Sequence, residues 1–261
     1  MTKQIDQALF TFLGTGSSLG IPVIGCSCPT CQSKDPHNKR RRSGAYVQLK
    51  GKTWLIDAGP DLREQALSAH LTHIDGFILT HAHYDHIGGF DDLKVYSALG
   101  HQKLPCLMLK DSFLDLKVRY PYLFNSSPFF SYTLLEDRPG QITFTGISLD
   151  YLTYRQTGTA VMGIKLGNLA YLSDIKDYEE TIFSHLQSID ILILSALRFQ
   201  PSPAHFSIDE ALAFSKKTSA KKVFLTHMAH EIDHSSLQKS LPSSIFLAYD
   251  GLQIPFTPYH L

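Results

Sequence analysis

Four side chains able to bind a metal fall within six positions, in His81-Ala82-His83-Tyr84-Asp85-His86. They follow directly on the apolar stretch from Gly76 to Leu79, which reads as a strand. In an extended loop residues i and i+2 point the same way, so His81 and His83 can share one ion. Asp85 and His86, just beyond, can face a second. Three imidazoles and a carboxylate suit Zn²⁺, Mn²⁺ or Fe²⁺. Ala82, Gly88 and Gly89 are small enough to let the loop fold tightly. A lone histidine is usually a solvated side chain, but four ligand-type residues packed at a strand end are a specific signal.

Two more strand ends carry ligand chemistry. Ala170-Tyr171-Leu172-Ser173-Asp174 ends in a carboxylate that could bridge two ions, and Val223-Phe224-Leu225-Thr226-His227 ends in an imidazole. Taken alone, an aspartate at a strand end is as readily a turn residue. A separate cluster, Cys26-Ser27-Cys28-Pro29-Thr30-Cys31, supplies three thiolates, and Cys106 stands apart. Three close cysteines cannot pair off internally, so metal ligation is the better reading. A closed tetrahedral zinc site needs a fourth ligand. His230, three residues beyond His227, is the natural candidate.

Short strands and helices must position these groups. Strands are expected from Leu9 to Leu13, Phe77 to Leu79, Cys106 to Leu109, Ile191 to Leu194 and Val223 to Thr226. Tyr46 to Leu49 and Trp54 to Ile56 flank Gly51-Lys52 as a hairpin. The middle, Phe129 to Leu172, is strand-rich, and two short strands flank Asp250-Gly251 in the tail. Helices are expected from Asp61 to His70, Leu93 to Leu99 and Asp177 to Leu186, and from Ser207 to Lys217 with a serine cap. Gly14-Thr15-Gly16 is too short for a nucleotide loop and reads as a tight turn. No repeat or low-complexity segment occurs. Strands and helices alternate along the whole chain, which argues for a layered α/β architecture in a single domain, 1–261.

Composition narrows the rest. Lys plus Arg equals Asp plus Glu at 24 each, so no global field draws the chain to nucleic acid or membrane. The start, Met1 to Gln7, is too polar for a signal-peptide core, and no apolar stretch approaches membrane-spanning length. A cytoplasmic protein is the default expectation. The run Lys39-Arg40-Arg41-Arg42 could contact a phosphate, although a charge run is more often a solvated face.

Thr80-His81-Ala82-His83-Tyr84-Asp85-His86-Ile87-Gly88-Gly89 resembles the signature of the metallo-β-lactamase superfamily. Phe12 to Pro22 with the three cysteines, Leu55 to Arg63, and Ala196-Leu197-Arg198 with Ala204-His205-Phe206-Ser207 are similar to its PhnP-like branch, which includes cyclic phosphate phosphodiesterases. The likeness runs from about Phe10 to Asp250. It implies a four-layer αββα sandwich with a dinuclear site at one edge of the sheets. It implies ligands His81, His83 and Asp174 at one metal, and Asp85, His86, Asp174 and His227 at the other. It implies that Asp57 orients the ligand loop, that Cys26, Cys28, Cys31 and His230 hold a structural zinc, and that His205 is a general acid facing the substrate.

Two positions depart from the family. Gln156 stands where a third histidine is expected on the first metal, and an amide oxygen is a weaker ligand than imidazole. Ser195 stands where aspartate usually precedes Ala-Leu-Arg. Both weaken the first metal position. The function implied is hydrolysis of a small, cyclic phosphodiester by hydroxide held between two zinc or manganese ions about 3.5–4 Å apart. Asp85 serves there both as ligand and as catalytic residue, and His205 protonates the departing alkoxide. The expected partner is the small-molecule substrate, with homodimer formation left open. Two other readings stay open: the same fold cleaving a thioester or nucleic acid, or a metal-binding protein with impaired catalysis. The neutral charge balance disfavours long nucleic acid.

Overall fold

Alternation along the strands decides what packs against what. The computed structural model describes residues 8–124 and 128–258, so the polar opening Met1 to Gln7 lies outside the described residues. Fourteen strands are described: β1 (Ala8–Gly14), β2 (Gly44–Leu49), β3 (Lys52–Ile56), β4 (Gly76–Ile78), β5 (Leu104–Leu109), β6 (Phe130–Leu135), β7 (Gly140–Phe144), β8 (Ile147–Gln156), β9 (Thr159–Leu166), β10 (Leu169–Leu172), β11 (Ile191–Ser195), β12 (Lys222–Thr226), β13 (Ile245–Leu247) and β14 (Gln253–Phe256). They form two mixed sheets, in the orders β14-β1-β2-β3-β4-β5-β6 and β13-β12-β11-β10-β9-β8-β7.

Successive side chains point to opposite faces. Phe10, Trp54, Ile78, Met162, Tyr171 and Ile193 meet between the sheets. Their neighbours in sequence face outward. Leu13, Leu55 and Phe77 pack under Leu62, Phe90 and Leu116 on one side. Leu172, Leu194 and Leu225 pack under Ile182, Phe214 and Leu237 on the other. Three apolar interfaces separate four layers, the expected αββα sandwich. Each fully buried large side chain, such as Phe10 or Trp54, contributes about 1.5–3 kcal/mol.

The β2–β3 hairpin turns where expected, with Lys50 and Gly51 both at positive φ as a two-residue turn requires. The helix expected before Leu186 is shorter: only Ile182–His185 is helical. Asp177 is held extended by two backbone bonds to Arg155, which keeps the chain out of helical geometry there. The helix Lys110–Arg119 carries little apolar periodicity and is not legible in the sequence. Among the described residues no helix is long and apolar enough to cross a membrane.

The turn Gly14-Thr15-Gly16 joins the two sheets. Met228 N–H donates to Thr15 O, Ser17 N–H to Met228 O, and Gly16 N–H to Arg41 O. A Cβ on Gly14 would lie 2.0 Å from Arg42 O, so only glycine fits.

Candidate metal centre and active site

The candidate ligands stand at the carboxyl ends of strands. β3 and β4 are parallel, and so are β10, β11 and β12. Asp57 follows β3, His81 to His86 follow β4, Asp174 follows β10 and His227 follows β12. Such ends, where the chain leaves the sheet, are the usual crevice for ligands in α/β folds. Asp57, Asp174 and His227 all adopt positive φ, at 63°, 54° and 58°. Each costs about 1–2 kcal/mol for a non-glycine residue. Placed directly after a strand, this backbone re-aims the side chain across the sheet edge, and its cost is typical of functional sites. Thr80 O accepts from Met162 N–H of the facing sheet, which locks the ligand loop against β9.

Six of the candidates converge. His86 Nε2 lies 3.1 Å from Asp174 Oδ2 and 3.5 Å from Asp85 Oδ2. His227 Nε2 lies 3.1 Å from Asp174 Oδ1 and 3.3 Å from Asp85 Oδ2. His81 groups with His86 and Asp174, and His83 Nδ1 reaches His81 Nε2 at 3.1 Å. Metal–nitrogen and metal–oxygen bonds of about 2.0–2.2 Å put neighbouring ligand atoms about 3–3.5 Å apart, so these separations match the edges of a coordination shell. His86 Nε2 is buried with no hydrogen-bond partner despite facing two carboxylates, as a lone pair directed at a cation would be. The donor set therefore fits divalent metals.

Electrostatics lead the same way. Burial opposes charge on Asp85 and Asp174, but the imidazoles of His86 and His227 outweigh it and hold both carboxyls well below the usual range. Burial also opposes charge on His86 and His227, and the surrounding carboxylates overcome it and lift both imidazoles. Burial, reinforced by His86, pushes His81 down. Buried carboxylates thus demand positive charge, and a bound cation supplies it while freeing the imidazole lone pairs.

Asp57 is buried. Its Oδ2 accepts from His86 Nδ1 at 2.7 Å, and its Oδ1 accepts from Thr80 N–H at 2.8 Å. This orients the His86 ring and fixes Nε2 as the nitrogen that would face a metal. Gly59 lets the same loop close in: a Cβ there would lie 2.1 Å from Asp85 O. Asparagine tolerates left-handed backbone, so Asp57→Asn should fold. It should bind its active-site ions roughly 10–100-fold more weakly in competition with a chelator. Unchanged affinity would remove the orienting role.

The two departures have defined surroundings. Gln156 is 3% exposed and turns its amide nitrogen to Asp174 Oδ1 at 3.2 Å, while its Oε1, the one atom that could ligate a metal, is buried without a partner. Ser195 Oγ is also buried without a partner. His205 does not stand apart from the ligands, because its Nδ1 lies 3.1 Å from Asp174 Oδ1 and it groups with Asp174 and His227.

The structure brings Cys26, Cys28, Cys31 and His230 together. His230 Nδ1 lies 3.2, 3.5 and 3.7 Å from the sulfurs of Cys26, Cys28 and Cys31. Tetrahedral zinc with bonds of about 2.3 Å to sulfur and 2.0–2.1 Å to nitrogen sets these atoms about 3.5 Å apart. Cys28 Sγ accepts from Cys31 N–H, which with its polar neighbours lowers the thiol to about 7, while burial raises Cys31 to about 11. The basic run beside it is only partly solvated, with Lys39 exposed and Arg40 buried. Arg40 is 1% exposed and donates to His37 O, Ala229 O, Ile232 O and Asn38 Oδ1, which places His230 over the cysteines. Arg41 pairs with Glu64, and Arg42 with Asp61.

Sequence reasoning missed Ser173, whose hydroxyl donates to Asp174 Oδ2, and Tyr154, whose hydroxyl donates to Ser173 O. Nothing in their local pattern marks them. Their role arises only where β8 and β10 come together around β9.

A family model described as the beta-lactamase superfamily domain matches residues 52–228. A solved diphosphatase of the PhnP family is 34% identical, with a TM-score of 0.90 over 97% of this chain and 99% of that one. This chain belongs to the metallo-β-lactamase superfamily, in its PhnP-like branch. The PhnP-like chain is also 32% identical over 250 residues to an octanoyltransferase of Porphyromonas gingivalis, covering 92% of itself and 50% of that relative. It therefore spans half the length of that protein. Zn²⁺-bound PqqB of Methylobacterium extorquens, 15% identical, shares the fold at a TM-score of 0.79 over 95% of this chain and 100% of that one. The superfamily fold is that of a metal-dependent hydrolase, in keeping with the buried ligand cluster of this PhnP-like chain.

Proposed function

We propose that the protein hydrolyses a small phosphodiester with two divalent cations, zinc or manganese, at the His81-to-His227 cluster and one structural zinc at the cysteines. The observation that carries this is the buried ligand set, with His86 Nε2 unpartnered between Asp85 and Asp174. When bound, two such ions would supply an activated water and neutralise charge on the phosphoryl oxygens.

The protein's own residues organise the rest. Asp174 presents Oδ1 to His227 and Oδ2 to His86, so one carboxylate ties both halves of the cluster. Asp57 holds the proton on His86 Nδ1 and keeps Nε2 directed inward. A cleft of about 440 Å³ meets the cluster at His205 and is lined by Ser17, Ser18, Ser202 and Arg198. Its size suits a small molecule, not a polymer. The half-exposed Arg198 guanidinium also lines the cleft, paired with Glu231 at 3.7 Å, and offers N–H donors to an anionic ester.

The similarity to a diphosphatase supports a neighbouring reading, cleavage of a phosphoanhydride in place of a phosphodiester. The octanoyltransferase relative keeps thioesters in the comparison. The test is turnover of a panel by the metal-loaded protein: a cyclic phosphodiester, a linear alkyl diester, bis(nitrophenyl) phosphate, a pyrophosphate-linked dinucleotide and an acyl thioester. Phosphodiester turnover that a chelator abolishes and added Mn²⁺ or Zn²⁺ restores is the expected result. Cleavage of the thioester alone, or of the anhydride alone, would replace this reading.

A further inference from the structure

The turn that presents Asp174 is strained. Asp174 follows β10 closely, is buried, and takes a φ of 54°, a region disfavoured for a residue with a Cβ. Such a conformation persists only where its surroundings hold it. Two hydroxyls do so. The Ser173 hydroxyl donates to Asp174 Oδ2, the oxygen that His86 Nε2 approaches at 3.1 Å. The Tyr154 hydroxyl donates to Ser173 O at 2.6 Å. That carbonyl belongs to the peptide joining Ser173 to Asp174. The bond therefore fixes the plane whose rotation would change the φ of Asp174.

Tyr154 has the reach and the donor this carbonyl needs. It lies on β8, with β9 between it and β10, and neighbouring strands are about 4.8 Å apart. Its ring crosses β9 at Gly163, where a Cβ would lie 2.9 Å from Tyr154 Cε1 and 2.5 Å from Leu172 Cδ2. Tyr154 is 2% exposed, in the apolar layer that holds Leu172, Leu194 and Leu225. Packing there would be served as well by phenylalanine, so the hydroxyl has its use at Ser173 O. Burial, reinforced by Asp174, lifts the phenol well above its ordinary value, and the hydroxyl keeps its hydrogen. The next residue secures the far side of the turn. Arg155 N–H donates to Asp177 O, and Arg155 O accepts from Lys176 N–H and Asp177 N–H.

We propose that Tyr154 is a positioning residue of the metal centre: through the Ser173 carbonyl it holds the Asp174 carboxylate in place before a divalent cation arrives. A ligand fixed beforehand loses little freedom when an ion binds. Supporting contacts of this kind are worth roughly 10–100-fold in metal affinity.

The inference rests on the metal-dependent part of the proposed function and is independent of the bond cleaved. Its test uses the full chain, stripped of metal and titrated with Co²⁺ in competition with a chelator, with no substrate present. Tyr154→Phe should hold its active-site cobalt roughly 10–100-fold more weakly, with a changed visible band. The cobalt–thiolate absorption of the cysteine centre should stay as it is and serves as the fold control. Ser173→Ala, which is smaller and leaves the Tyr154 bond in place, should weaken the same binding step by a similar factor. Val223→Ala thins the same apolar layer at the far end of β12 from His227. It should lower the melting temperature and leave cobalt affinity unchanged, which is what a merely structural role predicts for Tyr154 too. A Tyr154→Phe chain that melts lower yet binds cobalt like the unmodified chain would overturn the inference. If Tyr154→Phe does not fold, Ser173→Ala decides, and unchanged affinity there overturns it. An unmodified chain that takes up cobalt at the cysteines alone would instead remove the metal-dependent reading beneath it.

Discussion

Asp174→Asn should strip the active site of tightly held metal and lower turnover by roughly 10³-fold, while one ion stays at the cysteines. The Asp174 carboxylate is met by His86 on one oxygen and by His205 and His227 on the other. An amide keeps the shape but removes the charge and half of the acceptor capacity. Two cations would then share a site whose remaining carboxylates are Asp57, engaged with His86 and Thr80, and Asp85. Cation-based charge stabilisation is worth several kcal/mol, which corresponds to about three powers of ten in rate. Asparagine is among the residues that accept the positive φ found at this position, so loss of fold is not the expected cause. Elemental analysis after gel filtration, read beside turnover, makes the check. A variant that kept its full complement of active-site metal would show that Asp174 does not tie the cluster together.

The second large effect is on stability. Cys28→Ser should remove one ion per chain and lower the melting temperature by roughly 8–16 °C, with the active-site ions retained. The His230 ring faces all three sulfurs, and the loop that carries them has little apolar anchoring of its own, since Ile24 is 96% exposed. An ion present at about a thousand times its dissociation constant stabilises the folded state by about 4 kcal/mol. In a chain of this size each kcal/mol moves the midpoint by about 2–4 °C. Arg40, which ties the cysteine loop to Ala229 and Ile232, should keep the variant folded at ordinary temperature. Zinc content and a melting curve decide the matter, and a variant with the unmodified protein's zinc content would remove the structural site.

Local pattern carried most of the site and nearly all of the fold class. His81 to His86 declared themselves because ligand types crowded a strand end, and Asp174 and His227 because each closes an apolar run. Those signals are short-range. Two-residue alternation likewise announced which faces would be buried. It could not say which sheet each strand of the Phe129-to-Leu172 block joins, since pairing depends on neighbours distant in sequence. The basic run shows the same limit from the other side. Three arginines in a row look solvated, yet Arg40 is buried because carbonyls almost two hundred residues away need its hydrogen bonds.

The sequence by itself determined which residues are candidate metal ligands, and roughly where along the chain they lie, because coordination chemistry restricts the residue types and strand ends restrict the places. The tertiary structure decided which ligands meet. Gln156, Asp174, His205 and His227 come from four different segments and converge only after two sheets pack face to face. Whether an imidazole faces a substrate or a cation depends on ångström-scale placement of its two nitrogens. Residue spacing along the chain does not encode that placement. The left-handed backbone at Asp174 and His227, the buried oxygen of Gln156 and the close approach of the 202–207 loop do.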